Sequence, residues 1–537
     1  MVHSRIMAKE QEVALAECLA AEGGIASDES VVAETVIEAK EESVEEHEKE
    51  PDENTEWEGE YGEAGCPIWM GEYHGDVRCG RKLHVAPDGV DSTPVCLMHS
   101  KDPNKQSGPL FDSFWQEFER ILAEAVEGEA HFECFVFPQC FLSGKKFRAI
   151  CLFNEASFTQ KTNFSQATFS QKADFSGATF AQFACFAGAN FLQYVDFSIA
   201  IFEQNAHFGG ATFVQDAIFY DATFAREAFF SQATFSLAAS FQETRFHGSA
   251  LWRWTRFLDQ ADFEHTDFES SNEEEPGAEF YGATFSKPIE IVFDDIDLSR
   301  TLFRNCDVSQ ISFTSSVRWG TRRNNQGLAV FEERILCEKK FAKLLTEYEP
   351  LDHAAVEQIY HQLKKNYDSR LDYWTANEFH FGEMEMKRLA VPTDGRLLWL
   401  RQWWHRNLSF VAWYKYASDY GNSYRKPLLW LLGILLVATL LFPIPGLELR
   451  QAISTSTARV TYGSVWNGQE NWTNNFWTEA KLIGKSGITA IDTATFQRTP
   501  EYTPVYPRGR VLAIVETLLT SSLFALFLLA IRRQFRR

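Results

Sequence analysis

The hydrophobic pattern divides the chain into a long region with a short period, a helical region and two apolar stretches. Between residues 153 and 268 a large aromatic residue recurs at steps that alternate strictly between five and six residues, and the residue two positions earlier is small, usually Ala. Self-similarity of this kind indicates a repeated structural unit. The first rungs of the ladder are Phe153, Phe158, Phe164, Phe169, Phe175, Phe180, Phe186, Phe191, Phe197 and Phe202.

An eleven-residue apolar period also fits a right-handed helical coiled coil. The composition excludes that alternative, because Thr, Asn, Asp and glycines such as Gly177 and Gly188 fill the slots between the rungs and disfavour helix. Side chains alternate along a strand, so the small residue and the aromatic residue point to the same side. We therefore expect short strands whose paired large and small inward residues fill a narrow solenoid.

Units such as Ala167-Thr168-Phe169 and Ala173-Asp174-Phe175 resemble those of the pentapeptide-repeat family. The resemblance implies a right-handed quadrilateral β-helix over residues 141–320. After an acidic break at residues 270–279 the rhythm resumes at Phe280, Phe285, Ile291, Ile296 and Leu302. The spacing leaves open whether one coil takes 11 or 22 residues. The predicted fold class is mixed: this pentapeptide-repeat solenoid, an α-helical connector and two transmembrane helices.

Charge sets the N-terminal region apart. The formal net charge is −23, and residues 1–65 contain 20 Asp or Glu against 4 Lys or Arg. Such a composition buries too little apolar surface to offset chain entropy, so we predict a disordered acidic tail over residues 1–62. The first thirty residues contain no apolar segment of the kind a cleavable signal needs.

A small Cys/His module is predicted over residues 63–105. Cys66, Cys79, Cys96 and His99 follow the spacing C-x12-C-x16-C-x2-H, which supplies four soft ligands for a tetrahedral zinc ion. Scattered reduced cysteines are the alternative, and His74 and His84 are the next candidate ligands. Pentapeptide-repeat proteins of this type often open with a module that ends in C-x-x-H-S, and this resemblance favours structural zinc. Within the following residues 106–140 we expect a helix that caps the solenoid.

Residues 325–392 have the spacing of helices, from about Leu328 to Leu389, and resemble the connector of membrane-bound members of the family. A carboxylate–histidine metal site here is rejected, because Glu378 and His380 are two residues apart and point to different faces. Glu357 with His361, and Glu383 with Lys387, are interpreted as ordinary surface pairs at i,i+4 spacing. The residues considered are Glu357, His361, Glu378, His380, Glu383 and Glu385.

Two stretches predict membrane spans, at residues 427–444 and 511–531, and each is about long enough to cross a hydrocarbon core. Basic residues flank both, so the positive-inside rule places the N- and C-termini in the cytoplasm and residues 445–510 in an external loop. Residues 395–426 are aromatic and basic, and are predicted to lie in the headgroup region of the bilayer. A buried amphipathic helix is the alternative. We expect a multi-pass protein of the cell (inner) membrane.

Glu516 is the one acidic residue within the second predicted span. An ionisable group there faces a partner or water, or snorkels to the interface, so we treat it as a membrane or pore candidate. Two spans with a loop between them are the plan of tetrameric cation channels, and the C-terminus resembles channel-like regions attached to pentapeptide repeats. No potassium-filter sequence occurs between residues 445 and 510, so selectivity for potassium is not predicted.

The sequence contains no phosphate-binding glycine loop, nucleophile elbow or paired metal-binding histidines, so we predict that the protein is not an enzyme. We predict a membrane-anchored scaffold or sensor that binds a protein partner through its solenoid. The alternative is an oligomeric two-span pore gated by the solenoid, which implies a homo-oligomer. Residues 151–270 contain 13 acidic and 6 basic residues, which argues against nucleic-acid binding and leaves DNA mimicry of a topoisomerase inhibitor as a minor alternative.

Overall fold

A computed structural model describes residues 65–70, 77–87, 89–269, 275–322, 327–338, 351–390, 398–444, 447–449, 459–460, 472–495, 502–504 and 507–534. The predicted acidic tail lies outside these residues. The chain forms two compact units, which divide between Glu349 and Pro350. The first unit contains the Cys/His module and the solenoid, and the second contains helices.

The solenoid has four sides, each a parallel sheet of short strands, which the chain visits in turn. Sheet 1 contains Glu129–His131, Ile150–Leu152, Ala173–Asp174, Val195–Asp196, Ala217–Ile218, Ala239–Ser240, Ala261–Asp262, Ile291–Phe293 and Ser312–Phe313. Sheet 2 contains Val136–Phe137, Ser157–Phe158, Thr179–Phe180, Ile201–Phe202, Thr223–Phe224, Arg245–Phe246 and Asp267–Phe268.

The other two sides follow the same plan. Sheet 3 contains Cys140–Phe141, Thr162–Asn163, Ala184–Cys185, Ala206–His207, Ala228–Phe229, Ala250–Leu251, Ala278–Glu279 and Thr301–Leu302. Sheet 4 contains Lys146–Phe147, Thr168–Phe169, Asn190–Phe191, Thr212–Phe213, Thr234–Phe235, Arg256–Phe257 and Thr284–Phe285. Four strands complete one coil, and there are about eight coils.

Strand register decides the size of a coil. Thr168 pairs with Asn190, and Phe169 pairs with Phe191, so one coil takes 22 residues rather than 11. Equivalent aromatic rings therefore lie directly above one another. The ring centroids of Phe158 and Phe180 are 4.7 Å apart and their planes differ by 1°. The rungs are buried, and the small residues two positions earlier fill the space beside them.

The alternation of five- and six-residue steps comes from two kinds of corner. In the five-residue step the chain turns tightly, as where the amide of Ala156 donates to the carbonyl of Phe153 at 3.0 Å. The residue between them, Glu155, has φ of 56°. A left-handed residue recurs at this corner throughout the solenoid, and it is Gly at positions such as 177 and 188 but Gln166 or Ile199 in other coils.

Helices close the two ends of the solenoid. At the N-terminal end α1 (Pro109–Ala125) buries Phe118, whose ring stacks on Phe132 at 4.5 Å. At the C-terminal end α2 (Phe331–Cys337) places the buried carboxylate of Glu332 against the last coils. Short 3₁₀ helices lie at Pro103–Gln106 and Pro288–Glu290, and two-stranded antiparallel sheets pair Trp69–Met70 with Val77–Arg78 and Gly320–Thr321 with Leu328–Ala329. Leu328 thus begins a strand and not the predicted helix.

The repeat is shifted after the acidic break. Phe293 stacks on Phe263 at 4.8 Å, and Phe303 stacks on Phe280 at 5.5 Å. The predicted rungs at Ile291 and Leu302 are therefore wrong: Ile291 takes the place of the small residue, opposite Ala261, and Leu302 precedes its rung. Ile296 likewise precedes the inward Leu298, which is fully buried. The extra residues of the acidic break shift the repeat along the sequence. Aliphatic residues fit both the rung position and the position before it, so the sequence did not reveal the shift.

The second unit contains seven helices within its described residues. They are α3 (His353–Ser369), α4 (Tyr373–Leu389), α5 (Leu398–Leu408), α6 (Phe410–Ser418), α7 (Arg425–Leu441), α8 (Trp472–Ala494) and α9 (Pro507–Gln534). Strands Arg459–Val460 and Tyr502–Pro504 pair with Leu447–Leu449.

The predicted two spans and external loop need revision. Only α9 is long and apolar enough to cross a membrane among the described helices. The first predicted span forms α7, which has 17 residues and ends at Leu441, before the predicted limit of 444. The predicted loop contains the 23-residue α8. Ser486 of α8 donates a hydrogen bond to the carbonyl of Thr439, and Ala490 packs in a cluster with Ala438 and Phe442.

Candidate metal centre

Two short backbone pairings bring the four predicted ligands together. The amide of Cys66 donates to Arg81, and the amide of Cys79 donates to Ile68, which brings the first two cysteines side by side. Cys96 bridges to Leu83, and the following turn presents His99 on the same side. The ligand atoms of Cys66, Cys79, Cys96 and His99 all lie within 4.8 Å of one another.

The distances in this cluster fit a tetrahedral ion. Cys79 Sγ lies 3.7 Å from Cys96 Sγ, and His99 Nδ1 lies 3.2 Å from Cys96 Sγ and 3.4 Å from Cys66 Sγ. Zinc–sulfur bonds of about 2.3 Å at tetrahedral angles place sulfur atoms roughly 3.8 Å apart. Three thiols and one imidazole are a ligand set that zinc commonly takes, so the residues present fit the ion.

The surroundings fix the histidine and favour thiolate. His99 Nε2 lies 3.1 Å from the carbonyl oxygen of Glu133, which assigns the proton to Nε2 and leaves Nδ1 free to bind a metal. Arg81 Nη1 donates to Cys79 Sγ at 3.2 Å. The hydrogen bond from Cys96, together with Arg81, lowers the pKa of Cys79 to about 3, whereas the same pairing with Cys79 raises the pKa of Cys96. A bound cation would favour the ionised form of both thiols, so that Cys79 and Cys96 could be thiolates together.

The module is joined to the first coil of the solenoid. The amide of Val136 donates to the carbonyl of Met98 at 2.8 Å, and the rings of His99 and Phe135 meet edge to face at 5.1 Å. Arg81 lies over the ring of Phe135 and also pairs with Glu117 of α1 at 3.0 Å. The candidate centre is therefore part of the N-terminal cap.

The runner-up ligands do not join the cluster. His84 Nε2 lies 2.8 Å from Asp102 Oδ2, and His74 lies outside the described residues. Sequence reasoning missed Arg81 and also Lys105, which is 1% exposed and donates to the carbonyl of Leu97 at 3.0 Å. Burial lowers the pKa of Lys105 to about 7. A basic residue two positions after a candidate ligand was the available signal for Arg81.

The rejected carboxylate–histidine set forms ion pairs between helices. Glu383 accepts from His361 at 3.0 Å, from Lys364 at 3.2 Å and from His380 at 3.3 Å. Burial opposes ionisation of Glu383, but these partners lower its pKa to about 2. The interpretation of Glu383 as an exposed i,i+4 partner is therefore wrong. Lys387 pairs with Glu357 across α3 and α4 instead.

A second network surrounds Glu385 of α4. Its carboxylate accepts hydrogen bonds from Lys415 at 2.8 Å and Tyr420 at 2.9 Å, and also pairs with Arg388. Arg533 at the end of α9 donates to the carbonyl of Tyr420 at 2.7 Å. No described contact joins Glu378 to either of these two networks. Among the residues that the structure describes, the Cys/His cluster alone has the closeness of a metal site.

Glu516 faces inward from α9. It is 3% exposed, and neither carboxylate oxygen has a hydrogen-bond partner within the described part of the chain. Thr517 beside it donates to the carbonyl of Thr493 in α8 at 3.3 Å. The carboxylate of Glu516 therefore lies on the packed side of α9.

Comparison with known protein families matches residues 186–234 and 230–272 to pentapeptide repeats (9 copies). No curated protein and no solved structure matches the chain. The matched residues lie in the middle coils of the solenoid.

Proposed function

We propose that this chain, whose solenoid carries pentapeptide repeats, is a non-enzymatic interaction scaffold anchored to a membrane. The solenoid offers four long sides whose outward residues vary from coil to coil over a uniform core. Repeat proteins commonly use such extended surfaces for binding partners. The fold by itself does not identify the partner.

The surface of α9 is the observation that carries the membrane proposal. Its exposed residues are apolar, with Ile514 60% and Leu518 63% exposed, whereas its buried side includes Glu516 and Thr520. A helix on the surface of a water-soluble protein has the opposite arrangement. Apolar residues outside and polar residues inside suit a helix surrounded by hydrocarbon.

We include α7 as a second span. Leu429 and Leu436 are 67% and 63% exposed, and the turn that follows the helix continues the apolar surface to Ile444. At 17 residues the helix is shorter than the roughly 20 that a typical bilayer needs, so a thinned bilayer or flanking anchors must complete the span. Basic residues precede α7 and end α9, which supports cytoplasmic termini in an inner membrane.

Helices α5 and α6 supply an interfacial anchor. Their exposed large residues include Phe410 at 94%, Trp399 at 68% and Trp404 at 63%. Arg401 and Arg406 lie among them in sequence. Trp side chains and basic residues are favoured at the headgroup level of a bilayer.

Membrane association of the full-length protein tests the anchor. After expression in a bacterial host, we expect the protein to stay in the membrane pellet through alkaline carbonate extraction. Leu518→Arg together with Leu519→Arg should reduce the pelleted fraction, whereas the matched pair Thr223→Arg and Thr212→Arg on the solenoid should not. Recovery of the unaltered protein in the carbonate supernatant would refute membrane anchoring.

We propose zinc as the ion of the Cys/His cluster. Cys66, Cys79, Cys96 and His99 would hold it, and four protein ligands leave no open position for catalysis. The ion would stabilise a module that is too small for a core of its own. Its role would be structural, holding the N-terminal cap on the first coil.

A pore is the second candidate, and α8 is the observation that favours it. This helix lies between α7 and α9 in sequence, and it packs against both through Ser486, Ala490 and Thr493. Oligomers of such a unit can line a polar path. The buried, inward-facing Glu516 would lie near it.

Ion flux separates the two candidates. The full-length protein is inserted into dye-loaded liposomes, and its insertion is checked by protease protection. Flux that Glu516→Gln reduces would support the pore. Intact insertion without flux would overturn the pore and leave the helices as an anchor for the scaffold.

A further inference from the structure

The last turn of α9 lies beside the turn that leads into α7. Arg533 Nη1 donates a hydrogen bond to the carbonyl oxygen of Tyr420 at 2.7 Å. Tyr420 is fully buried, and it lies in a run of three residues with positive φ, from Asp419 to Gly421. A Cβ atom on Gly421 would lie 2.9 Å from Arg533 Nη1, so glycine leaves room for the arginine. These contacts hold the end of α9 against the start of α7.

Three guanidinium groups meet at this junction. Arg425 is the first residue of α7, and Arg532 and Arg533 lie in the last turn of α9. We call these three residues the arginine cluster. The guanidinium of Arg425 lies over the ring of Tyr424, and that of Arg533 is bonded to a neutral carbonyl. Within the described part of the chain no carboxylate forms an ion pair with any of the three, so the cluster keeps its positive charge.

The two carboxylates beside the junction have other partners. Burial opposes ionisation of Glu385, but hydrogen bonds from Arg388 and Lys415 lower its pKa to about 2. Asp419 pairs with Lys426 at 2.6 Å. Three basic groups thus offset two acidic ones, and neither carboxylate is left to neutralise the arginine cluster. An anion from outside the chain can supply that charge.

Exposed apolar residues adjoin the arginine cluster on both helices. On α7, Leu429 is 67% exposed and Leu432 is 54% exposed. On α9, Leu528 and Leu529 are each 49% exposed. Because the end of α9 lies beside the start of α7, these four leucines lie at a similar depth within the pair of helices. The positive charge therefore borders a surface that suits acyl chains.

Tryptophans mark the same level. Trp430, in the second turn of α7, donates a hydrogen bond from Nε1 to the carbonyl oxygen of Tyr416 at 3.1 Å. Its ring is 53% exposed, and Trp413 of α6 is 42% exposed. Trp side chains are favoured at the boundary between hydrocarbon and headgroups. The arginine cluster, one turn beyond Trp430, is then at the depth of the lipid phosphates.

We propose that the arginine cluster binds the phosphate of an anionic phospholipid, whose acyl chains lie along the exposed leucines of α7 and α9. Guanidinium groups bind phosphate through paired N–H donors. Basic pockets between membrane helices are suited to anionic headgroups. A zwitterionic lipid adds a cation that three arginines repel, so the site should select a headgroup with net negative charge.

This proposal rests on the proposed membrane anchoring and gives the anchor a preference among lipids. The cluster joins residues from two helices whose like charges repel each other. A bound phosphate would offset that repulsion and stabilise this end of the helix pair. Anionic lipid should therefore raise the unfolding temperature of the protein as well as bind to it.

The test measures lipid binding to the full-length protein in neutral detergent by native mass spectrometry. Phosphatidylglycerol and phosphatidylcholine with the same acyl chains are titrated separately, and we expect phosphatidylglycerol to bind at least tenfold more tightly. Arg425→Gln with Arg532→Gln should reduce this preference to less than threefold, because the phosphate loses two of its three guanidinium partners. The control, Arg256→Gln with Lys365→Gln, removes the same charge from exposed residues of the solenoid and α3 and should keep the preference.

Two further measurements keep the result interpretable. Arg532→Gln alone, a milder change, should give an intermediate preference. Phosphatidylglycerol should raise the unfolding temperature of the unaltered protein and of the control, but not that of Arg425→Gln with Arg532→Gln. Equal binding of the two lipids to the unaltered protein would overturn the proposal. So would an equal loss of preference in the double variant and the control, which would indicate attraction by overall charge.

A soluble anion is distinguished in the same titration. Inorganic phosphate that displaces phosphatidylglycerol at equal concentration would show a site for free phosphate and would contradict a lipid site. Failure of the anchor has a different signature. A protein that resists carbonate extraction but shows no lipid preference keeps the anchor and loses the lipid site. Recovery in the carbonate supernatant refutes the anchor, and the proposed acyl-chain contacts with it.

Discussion

The carboxylate of Glu332 accepts a hydrogen bond from the backbone amide of Phe303 at 2.6 Å. In the preceding coil the amide of the equivalent residue, Phe280, donates to the carbonyl of Leu302 at 2.8 Å. Glu332 therefore takes the place of the carbonyl that a further coil would supply. An unpaired buried amide is costly, so the solenoid ends here with its hydrogen bonding satisfied.

Removing this acceptor should loosen the last coil. Glu332→Ala leaves the buried amide of Phe303 without its partner, for a cost of roughly 1–3 kcal/mol. Hydrogen exchange of the full-length protein should show faster exchange at Phe303 by one to two orders of magnitude. Glu338→Ala in the segment just after α2 is the matched control and should leave Phe303 protected. Equal exchange in both variants would contradict the capping role.

The same cap should weaken as the pH rises. Burial raises the pKa of Glu332 to about 7. Because the folded pKa lies above the ordinary value of 4.5, stabilisation is complete below that value and is lost as the pH rises to about 7. After correction for intrinsic rates, the amide of Phe303 should exchange faster at pH 8 than at pH 5. Glu332→Gln should abolish the difference, and a pH dependence that persists in that variant would rule out Glu332 as its source.

Zinc should be present and should depend on the four clustered residues. We expect close to one zinc per chain by elemental mass spectrometry of the full-length protein. Cys96→Ser and His99→Ala should each reduce this severalfold, while Cys134→Ser, which changes a nearby cysteine outside the cluster, should not. Exchange in the first coil near Glu133 should increase as zinc is lost, because His99 contacts its carbonyl. Well under one zinc per unaltered chain would refute the ion.

Interior rungs should dominate the stability of the coils. Phe197 is fully buried and stacks on Phe175 at 4.9 Å and Phe219 at 5.1 Å. Phe197→Ala should cost about 3–5 kcal/mol of local unfolding free energy, from lost burial and the cavity left behind. Thr212→Ala at an outward position should change it by less than about 0.5 kcal/mol. Hydrogen exchange in the adjacent coils measures the change in local unfolding free energy for each variant. Changes of similar size in the two variants would argue against the stacked core.

One corner carries strain that a substitution can release. Ile199 has φ of 58° and is 56% exposed, so a β-branched residue holds a left-handed conformation without compensating burial. Ile199→Gly should therefore stabilise its coil by about 1 kcal/mol. Ile201→Gly, two residues later in an extended strand, should destabilise it. The amide of Ala200 should exchange more slowly in the Ile199→Gly variant than in the Ile201→Gly variant. The reverse order would contradict strain at Ile199.

The inward pattern of the solenoid followed from its sequence, because an aromatic residue and a small residue two positions earlier fix the side that faces the core. Coil size did not follow, since 11- and 22-residue coils share one linear pattern and only the pairing of Thr168 with Asn190 separates them. The left-handed corners were also hidden. Gly marks some of them, but Glu155, Gln166 and Ile199 hold the same conformation where neighbouring coils impose it.

The candidate metal site was predictable in its ligands but not in its surroundings. Four soft ligands within 34 residues pointed to the cluster, whereas the contacts of Arg81 with Cys79 and Glu117 join segments that sequence spacing does not relate. The charged connector was misjudged for a similar reason. Glu383 has a plausible partner four residues away, yet its actual partners include His361 and Lys364 on the neighbouring helix.

The 22-residue coil also constrains how the gene can lengthen or shorten. An in-frame duplication or deletion of 66 nucleotides adds or removes a whole coil and keeps each outward column on its own side. A change of 33 nucleotides would preserve the alternation of five- and six-residue steps, so the core could still close, but every later residue would move to the opposite side. The column that contains Cys185 and His207 would then be split between sheets 3 and 1. Length variation in related genes should therefore occur in units of 66 nucleotides wherever the outward columns keep their sides.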